Sequence, residues 1–543
     1  MSRRKRSGRS RVFAAMLEPL EDRIVLNVTV TGATTNTITF TSTSSSDNLA
    51  LQTSSGALTY TDSSATTAQS TGFTVGKNQS IIVTEPDSGG TLNLQNVNTQ
   101  GGSLTIDNDV TVTGSLNTGG GAVNISGGTV TVTGSLTTGG GALTIQNTGS
   151  GNQQGDTITV NSTFYSGSSG TLTGPGDQTF TIRSSSGTGD QATMTVAPTQ
   201  GTTGSLTEGE QVTYAGSASG LTSGSTYYVN VPDSSSPTSI QLQTAISTSS
   251  STGKAGAILL DAPTITLGPC TQLLAKGISS SSDGNITLTA SYVRNDLSRA
   301  QIIDEFMNIP NHDLEAAISV ESNAVINGGN VSLKATTADN NWYQAFGATG
   351  VEIATALSAF LSPVLNKLVD LPVSVQLDSA TSTAEIGQSA SIMGSGTVNV
   401  STSATANATG QAMWSLAMGL LAGKFSATQG LGVSFAYDQA TSTAESTVDP
   451  DATIEGTKGV SITSATTTTT SGTARVQQNT NLNSPAYNQL NLNNIQVSGA
   501  VNLLTTTSHA VVSQGATISS SAGNVAVTAT ASDSDKMTVE TAS

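Results

Sequence analysis

Apolar and polar residues alternate along most of this chain, in runs of four to six residues. Val, Ile and Leu take every second position, and Thr, Ser and Asn take the positions between them. A period of two is typical of β-strands that bury one face and expose the other. The pattern therefore predicts an all-β protein whose strands are half buried.

A stretch of sixteen residues occurs twice in succession, in two nearly identical copies. VTVTGSLNTGGGAVNI (residues 110–125) is followed twenty positions later by VTVTGSLTTGGGALTI (residues 130–145). Identical strands lie directly above one another when a chain winds into layers about 4.8 Å apart. We therefore predict a parallel β-helix (β-solenoid) of the right-handed form, with two strands and two turns in each 20-residue coil and with Val112 stacked on Val132.

The second half carries a longer repeat, in which an apolar residue, a Gly-containing turn and a V-x-V-x-A strand follow one another. Its copies are GISSSSDGNITLTA (277–290), AVINGGNVSLKAT (324–336), ASIMGSGTVNVSTSA (390–404), ATIEGTKGVSITSA (452–465) and ATISSSAGNVAVTATA (516–531). Periods of this size are typical of an array of structural repeats. We expect each unit of about 64 residues to form about three coils.

A companion motif accompanies this longer repeat. DSATSTAE (378–385) returns as DQATSTAE (438–445). Strand alternation places Ala380, Ser382 and Ala384 on one face. Small inward side chains predict a tight cross-section here. The pattern resembles the Ala-rich strand repeats of very large bacterial filamentous adhesins.

Residues 186–250 interrupt the rhythm of the coils and read as a small inserted antiparallel β module with a third of the tyrosines of the chain. The segment resembles a GLTDGTTYYV-type module of large bacterial surface proteins. Tyr214, Tyr227 and Tyr228 form either a ligand patch or the core of the module itself.

The predicted organisation is a basic tail (1–26), a solenoid with 20-residue coils (27–185), this module, and a solenoid with longer repeats (251–543) that lacks an evident cap, as in a fragment of a longer array.

Two segments predict short helical excursions from the solenoid, 295–307 and 353–368, because their apolar residues follow helical spacing. A helix that lies over the solenoid is favoured over one that inserts into a membrane or a partner. The longest compact apolar run (412–423) has twelve residues, whereas about twenty are needed to span a bilayer. We therefore do not expect an integral membrane protein.

Charge and composition narrow the functional classes. Residues 1–26 carry seven basic and three acidic side chains, yet the net charge of the whole chain is −17. The strongly acidic body excludes nucleic acid as a partner and suits an extracellular surface. With a single cysteine, Cys270, no intrachain disulfide can form, and we expect this residue to be buried.

The inventory of reactive residues argues against an enzyme. The two histidines, His312 and His509, lie far apart in the sequence, and neither belongs to a recognisable catalytic motif. The densest acidic cluster is Glu445, Asp449, Asp451 and Glu455, with no basic residue inside it, whereas the clustered carboxylates of polysaccharide-cleaving β-helix enzymes usually have Arg or Lys beside them. Asp449, Asp451 and Glu455 remain candidates for a weak Ca²⁺ site, and solvated turn carboxylates are the alternative. No cofactor is expected.

The N-terminal segment carries the clearest family resemblance. LEPLEDR (17–23) follows a basic tail, and Leu26 extends it to the pattern LEP-LE-x-R-x-x-L. This element resembles the N-terminal tag of large surface proteins of planctomycete-type bacteria, in which a β-strand repeat region follows. The resemblance implies export and a cell-surface or extracellular role.

The sequence therefore predicts a noncatalytic adhesin or structural stalk that contacts cell-surface or matrix glycans or proteins. A carbohydrate-active β-helix enzyme and a passive structural protein of the cell envelope are the alternatives.

Overall fold

The computed structural model describes residues 28–31, 37–42, 48–54, 57–61, 69–84, 91–146, 156–161, 171–173, 178–186, 193–198, 206, 211–216, 226–230, 239–294, 313–339, 342–343, 373–415, 431–477 and 495–542. The basic tail with its LEPLEDR element and both predicted helical excursions lie outside these residues. Within them the chain is nearly all β-strand.

The first strands form one end of the molecule and the short coils that follow it: β1 Val28–Thr31, β2 Thr37–Ser42, β3 Asn48–Ser54, β4 Ala57–Thr61, β5 Gln69–Thr74, β6 Ser80–Thr84, β7 Thr91–Gln95, β8 Val97–Asn98, β9 Leu104–Asp107, β10 Asp109–Val112, β11 Ser115–Asn117, β12 Val123–Ser126, β13 Thr129–Val132, β14 Ser135–Thr137, β15 Leu143–Gln146 and β16 Thr157–Val160. Six strands of a separate module come next: β17 Thr171–Thr173, β18 Thr179–Ser186, β19 Thr193–Pro198, β20 Gln211–Ala215, β21 Thr226–Asn230 and β22 Ser239–Gln243.

The remaining strands lengthen along the chain: β23 Ala245–Ser247, β24 Ile258–Asp261, β25 Thr264–Leu267, β26 Gln272–Leu274, β27 Ile286–Arg294, β28 Asp313–Val320, β29 Val325–Gly328, β30 Val331–Asp339, β31 Trp342–Tyr343, β32 Val373–Ile386, β33 Ser391–Gly394, β34 Thr397–Ser415, β35 Leu431–Val448, β36 Thr453–Gly456, β37 Gly459–Gln477, β38 Ile495–Val512, β39 Thr517–Ser519 and β40 Val525–Ala542. A single 3₁₀ turn, Ser280–Ser282, precedes β27.

Each coil of the solenoid contains three strands, which belong to three different sheets. Sheet A holds β1, β2, β6, β9, β12, β15, β24, β27, β30, β31, β34, β37 and β40; sheet B holds β3, β4, β5, β7, β10, β13, β16, β25, β28, β32, β35 and β38; sheet C holds β8, β11, β14, β23, β26, β29, β33, β36 and β39. From β7 onward, the chain passes from sheet B to sheet C to sheet A in each coil. The predicted two-strand coil is therefore wrong, because a third strand, β11 of sheet C, lies between the two strands that the 20-residue pattern predicts.

Stacking of like on like is confirmed in the short coils. Val112 pairs in parallel with Val132, and Ile125 pairs with Ile145. Side chains at alternate positions point into a triangular prism, where one cluster of buried apolar residues extends from Ile38 to Ile462.

The Gly-Gly-Gly turn closes each of these short coils between sheets C and A. Gly119 and Gly120 have φ values of +62° and +118°, which residues with a Cβ rarely adopt. A Cβ at Gly121 would lie 2.0 Å from the carbonyl oxygen of Gly102 in the coil below. The repeated glycines are therefore needed for the backbone path.

The longer repeat is one coil, which corrects the expectation of three. Ile326 pairs directly with Ile392, Ile392 with Ile454, and Ile454 with Ile518. The extra residues lengthen the strands: β12 has 4 residues, whereas β37 has 19 and β35 has 18. The long parts of sheets A and B leave the prism together and pack face to face, and we call this region the sandwich.

The interior of the sandwich consists of small side chains, as the Ala-rich pattern predicts. Ala404, Ala406, Ala408, Ala440 and Ala444 are fully buried there or nearly so. Hydroxyl groups bond the backbone of the opposite sheet: Thr337 Oγ1 donates to Thr381 O at 2.6 Å, Ser382 Oγ to Ser403 O at 2.7 Å, Ser446 Oγ to Thr463 O at 3.1 Å and Ser464 Oγ to Ala444 O at 2.6 Å. The two sheets are thus linked by cross-sheet hydrogen bonds.

The two ATSTAE motifs both point Ala, Ser and Ala inward, as predicted, but they are not stacked like on like. Asp378 pairs with Ala440, so the second copy is displaced by two residues. An even displacement keeps every side chain on its face. Consequently Ala380 lies against Ser442, and Ser382 lies against Ala444. Each inward serine therefore has a small neighbour one coil away.

The inserted module is a closed antiparallel barrel of six strands, in the order β17-β18-β19-β22-β21-β20. It enters between β16 of sheet B and β23 of sheet C, and it begins no later than Thr171 rather than at residue 186. The solenoid continues across it without loss of register, because Leu136 of β14 pairs directly with Ile246 of β23.

Two further expectations can be compared with the described residues. Cys270 is 4% exposed, which confirms its predicted burial. It lies at a corner between sheets B and C with φ of +55°. No helix among the described residues has the length and apolar character needed to cross a membrane.

Candidate functional surface

The outward face of sheet B in the prism carries ladders of threonine. Thr111, Thr131, Thr159 and Thr266 occupy successive strands in register, and Thr129, Thr157 and Thr264 form a second ladder two residues away. Hydroxyl groups thus repeat about every 4.8 Å along the rod and about every 6.6 Å along each strand. This surface offers many equivalent weak hydrogen-bonding positions.

A different surface lies on sheet B in the sandwich, on β35 and β38. Its outward residues are Phe435, Tyr437, Gln439, Val497, Val501 and Leu503, and we call them the aromatic strip. Phe435 is 38% exposed and Leu503 is 47% exposed, whereas the outward positions of β10 and β13 are polar. Exposed apolar side chains that adjoin one another mark an interaction surface more often than isolated ones do.

The local sequence keeps the aromatic side chains close to the sheet. Phe435 pairs with Gly499 on the next strand, and a Cβ at Gly499 would lie 3.2 Å from Phe435 Cδ2. The ring therefore covers the space above the glycine. Tyr437 donates its hydroxyl to Gln439 Oε1 at 3.1 Å. The strip is thus an uncharged platform with an amide and a phenol group within it.

Two of the three tyrosines proposed as a ligand patch are buried. Tyr214 is 0% exposed and Tyr227 is 1% exposed, and both belong to the apolar core of the barrel with Leu172 and Phe180. This burial favours the alternative, in which the rings form the module's own core, because six short strands enclose a cavity that large side chains fill. The Tyr228 side chain lies outside the described residues.

The acidic cluster is spread around one corner of a coil. Asp449 is half buried, and Asp451 and Glu455 are exposed. Asp451 has φ of +61°, a conformation that Asp and Asn adopt more readily than most residues. No group of three His, Cys, Asp or Glu side chains in the described ranges is arranged to hold a metal ion. The calcium site and the solvated turn carboxylates both remain predictions, and the corner conformation supports the second.

Neither histidine gains a catalytic setting in the described residues. His312 lies outside them. His509 pairs with Glu445 on the outward face of sheet B, beside a ladder of threonines.

Two aspartates beside sheet A, Asp261 at the end of β24 and Asp283 shortly before β27, have pKa values that are shifted in opposite directions. Burial raises the pKa of Asp261. Burial also acts to raise the pKa of Asp283, but the Lys276 ammonium, the Gly277 N–H and the Ser395 hydroxyl outweigh it, so this pKa is lowered. Lys276 Nζ lies 2.8 Å from Asp283 Oδ2. The pair fixes a corner and has no reactive partner, so we assign it a structural role.

The aromatic strip could not be predicted from the sequence alone. A signal was present in LGVSFAYDQ (431–439), where aromatic residues alternate with small or polar ones. Such alternation does not reveal which face is outward, and only the pairing with β38 places the two rings on the solvent side.

Comparisons with models of protein families, with curated proteins and with solved structures find no match to this chain.

Proposed function

We propose that the protein is a noncatalytic β-solenoid of the cell surface or extracellular space, which acts as an adhesin or structural stalk. The outward platform of the aromatic strip is the single observation that carries the adhesive part of this proposal. It is uncharged in an acidic protein and flat because it lies on the face of a sheet.

The ligand class that suits this platform is a glycan of the cell surface or matrix. Pyranose rings present apolar C–H faces that pack on an aromatic ring, and their hydroxyl groups can bond amide and hydroxyl side chains such as those of Gln439 and Thr441. The threonine ladders add further weak contacts, and contacts that act together raise the overall avidity by orders of magnitude. A protein partner is the alternative ligand.

A binding experiment tests the proposal. Immobilised polysaccharides are incubated with the purified protein and with the double variant Phe435→Ala/Tyr437→Ala. We expect the variant to lose at least about tenfold in affinity, since even the stacking of one nucleobase on an aromatic ring contributes about 1–3 kcal/mol and two rings are removed here. The matched control, Thr463→Ala/Thr467→Ala on the outward face of sheet A, should bind as the wild type does.

Other outcomes distinguish the alternatives. Sugar release that Asp449→Asn or Asp451→Asn abolishes would replace the adhesin with a carbohydrate-active enzyme. Absence of binding to every glycan and every cell-surface extract would leave a passive structural role. Export is tested separately by cell fractionation, and recovery of the full chain from the cytosol would contradict the surface location.

A further inference from the structure

Sheets A and B of the prism differ in the side chains that they turn outward. The four coils that begin at β10, β13, β16 and β25 each place two outward residues on either sheet. Sheet B has threonine at seven of its eight positions: Asp109 and Thr111, Thr129 and Thr131, Thr157 and Thr159, Thr264 and Thr266. Sheet A has threonine at three of its eight: Asn124 and Ser126, Thr144 and Gln146, Leu259 and Asp261, Thr287 and Thr289. We call the seven threonines of sheet B the threonine array.

Strand propensity does not account for this difference between the two sheets. Threonine suits any half-buried pleated surface, and both sheets offer outward positions of the same kind in the same coils. Sheet A accepts Asn, Gln and Leu at positions where sheet B has threonine. The uniform array is therefore a property of one face and not a requirement of the fold.

The array repeats regularly in two directions. Thr111, Thr131, Thr159 and Thr266 pair in register from strand to strand without a shift. Neighbours in this row are about 4.8 Å apart, and the second row lies about 6.6 Å away along the strands. Threonine is restricted at χ1, and the repeated backbone favours one common direction for the hydroxyl groups. The face thus carries a two-dimensional lattice of hydroxyl and methyl groups.

The hydroxyl groups of the array are not used by the fold. All seven residues are at least partly exposed. Within the described part of the chain, no hydrogen bond joins any of these seven hydroxyl groups to another protein atom. A threonine that supports a corner behaves differently, since Thr138 Oγ1 donates to Gly141 O. The array is therefore free to bond a ligand that matches its spacing.

We propose that the threonine array binds the surface of ice. The faces of hexagonal ice that run parallel to its six-fold axis present oxygen atoms with two repeat distances close to those of the array. Several hydroxyl groups can therefore take lattice positions of water at once, while the methyl groups fill the hollows between them. The strands hold these groups in place before contact, so little conformational entropy is lost on binding. The inference is independent of the adhesive function proposed above.

Incorporation into growing ice tests the proposal. Ice is grown slowly from a solution of the full chain, and the amount of protein in the ice is compared with the amount left in the liquid. We expect the wild type to enter the ice and to inhibit recrystallisation of fine-grained ice, whereas an unrelated acidic protein is excluded. Exclusion of the wild type would overturn the proposal, even if the array then retained a crystalline polysaccharide such as chitin.

A matched pair of variants locates the binding face. Thr131→Tyr/Thr266→Tyr raises two rings above the flat array and should abolish incorporation into ice. The control Thr144→Tyr/Thr287→Tyr places the same rings on sheet A of the same two coils and should be incorporated as the wild type is. Tyrosine is favoured in strands, and circular dichroism checks that both variants fold. Equal incorporation of the two variants would contradict the site.

The next coil allows the array to be extended. Ala317 pairs with Thr264, and Ser319 pairs with Thr266. Ala317→Thr/Ser319→Thr adds two positions to the lattice and should inhibit recrystallisation at a lower protein concentration than the wild type needs. An unchanged concentration would contradict a role for the repeat.

The aromatic strip provides a test that separates this proposal from the adhesive function. Phe435→Ala/Tyr437→Ala should bind glycans less well but should enter ice as the wild type does. Loss of incorporation into ice in this variant would overturn the assignment of ice binding to the threonine array. Failure of the wild type to bind any glycan would leave the ice experiment unaffected.

Discussion

The prism and the sandwich are two parts of one solenoid, and their interiors are packed with different kinds of side chain. In the prism, three short strands enclose Val, Ile and Leu, and each fully buried side chain contributes about 1.5–3 kcal/mol. In the sandwich, the strands are up to 19 residues long and enclose Ala, Ser and Thr. Alanine adds little apolar area, and each cross-sheet hydroxyl bond has a net value of about 0.5–1.5 kcal/mol.

The sandwich therefore shows that a solenoid coil can be enlarged without a larger apolar core. When two sheets separate from the prism, small side chains allow them to approach until serine and threonine reach the opposite backbone. Ser464, for example, bonds Ala444 O across the sandwich at 2.6 Å. Long strands add many ladder hydrogen bonds, and hydroxyl groups supply the link between the sheets that apolar side chains supply in the prism.

The largest expected effect comes from removal of an apolar side chain in the prism. Ile326→Ala leaves a cavity between Leu273 and Ile392, and we expect a loss of about 2–5 kcal/mol in the free energy of unfolding, measured by urea denaturation. The control Val325→Ala, on the outward face of the same strand, should cost less than about 1 kcal/mol. Equal losses would mean that the prism does not depend on its apolar interior.

Enlargement of a side chain in the sandwich is expected to have the next largest effect. Ala406 lies between Asp339 and Thr468 in sheet A and points towards sheet B. Ala406→Leu should force the two sheets apart and lower the free energy of unfolding by about 1–3 kcal/mol. Thr405→Leu on the outward face of the same strand is the control and should be close to neutral. If both variants unfold at the same urea concentration as the wild type, the sandwich is not tightly packed.

Removal of one cross-sheet hydroxyl tests whether hydrogen bonds between the two sheets stabilise the sandwich. Thr402 Oγ1 lies 3.0 Å from Ser446 Oγ and 2.9 Å from Ser464 Oγ. Thr402→Val keeps the shape of the side chain but deprives both serines of a partner, which should cost about 1–2 kcal/mol. Ser403→Ala, with its outward hydroxyl removed, serves as the control. If Thr402→Val leaves the free energy of unfolding unchanged, the hydroxyl network does not stabilise the sandwich.

The smallest effect concerns a corner and depends on pH. The pKa of Asp283 is lowered below its ordinary 3.8, so its charged form stabilises the fold above that value and this stability is lost as the pH falls through the folded pKa. Asp283→Asn should therefore cost about 0.2–1 kcal/mol near pH 7, because its partner Lys276 is 42% exposed, and less near pH 3. Asp261→Asn should have the opposite sign, because burial raises the pKa of Asp261 and the charged form opposes folding. Thermal unfolding at both pH values measures the two effects.

Much of the fold could be predicted because it depends on periodicity. Alternation identifies the buried face of nearly every strand, and the near-identity of residues 110–125 and 130–145 predicts that Val112 stacks on Val132. The candidate binding surface was harder to predict than the fold. Tyr214 and Tyr227 were noticed because tyrosines cluster there, but a cluster in sequence is equally compatible with a core. Phe435 and Tyr437 were not noticed, because their exposure depends on a strand 64 residues further along the chain.

The sequence by itself determined which side chains face inward, where glycine-rich corners occur and that successive coils repeat. The tertiary structure alone decided that a coil has three strands, that a repeat of about 64 residues is a single coil and that the inserted module closes into a barrel. The physical reason is that side-chain alternation is a local property of a strand, whereas the neighbours of a strand are selected by closure of the whole coil. The same local pattern is therefore compatible with a prism or a sandwich until distant strands pair.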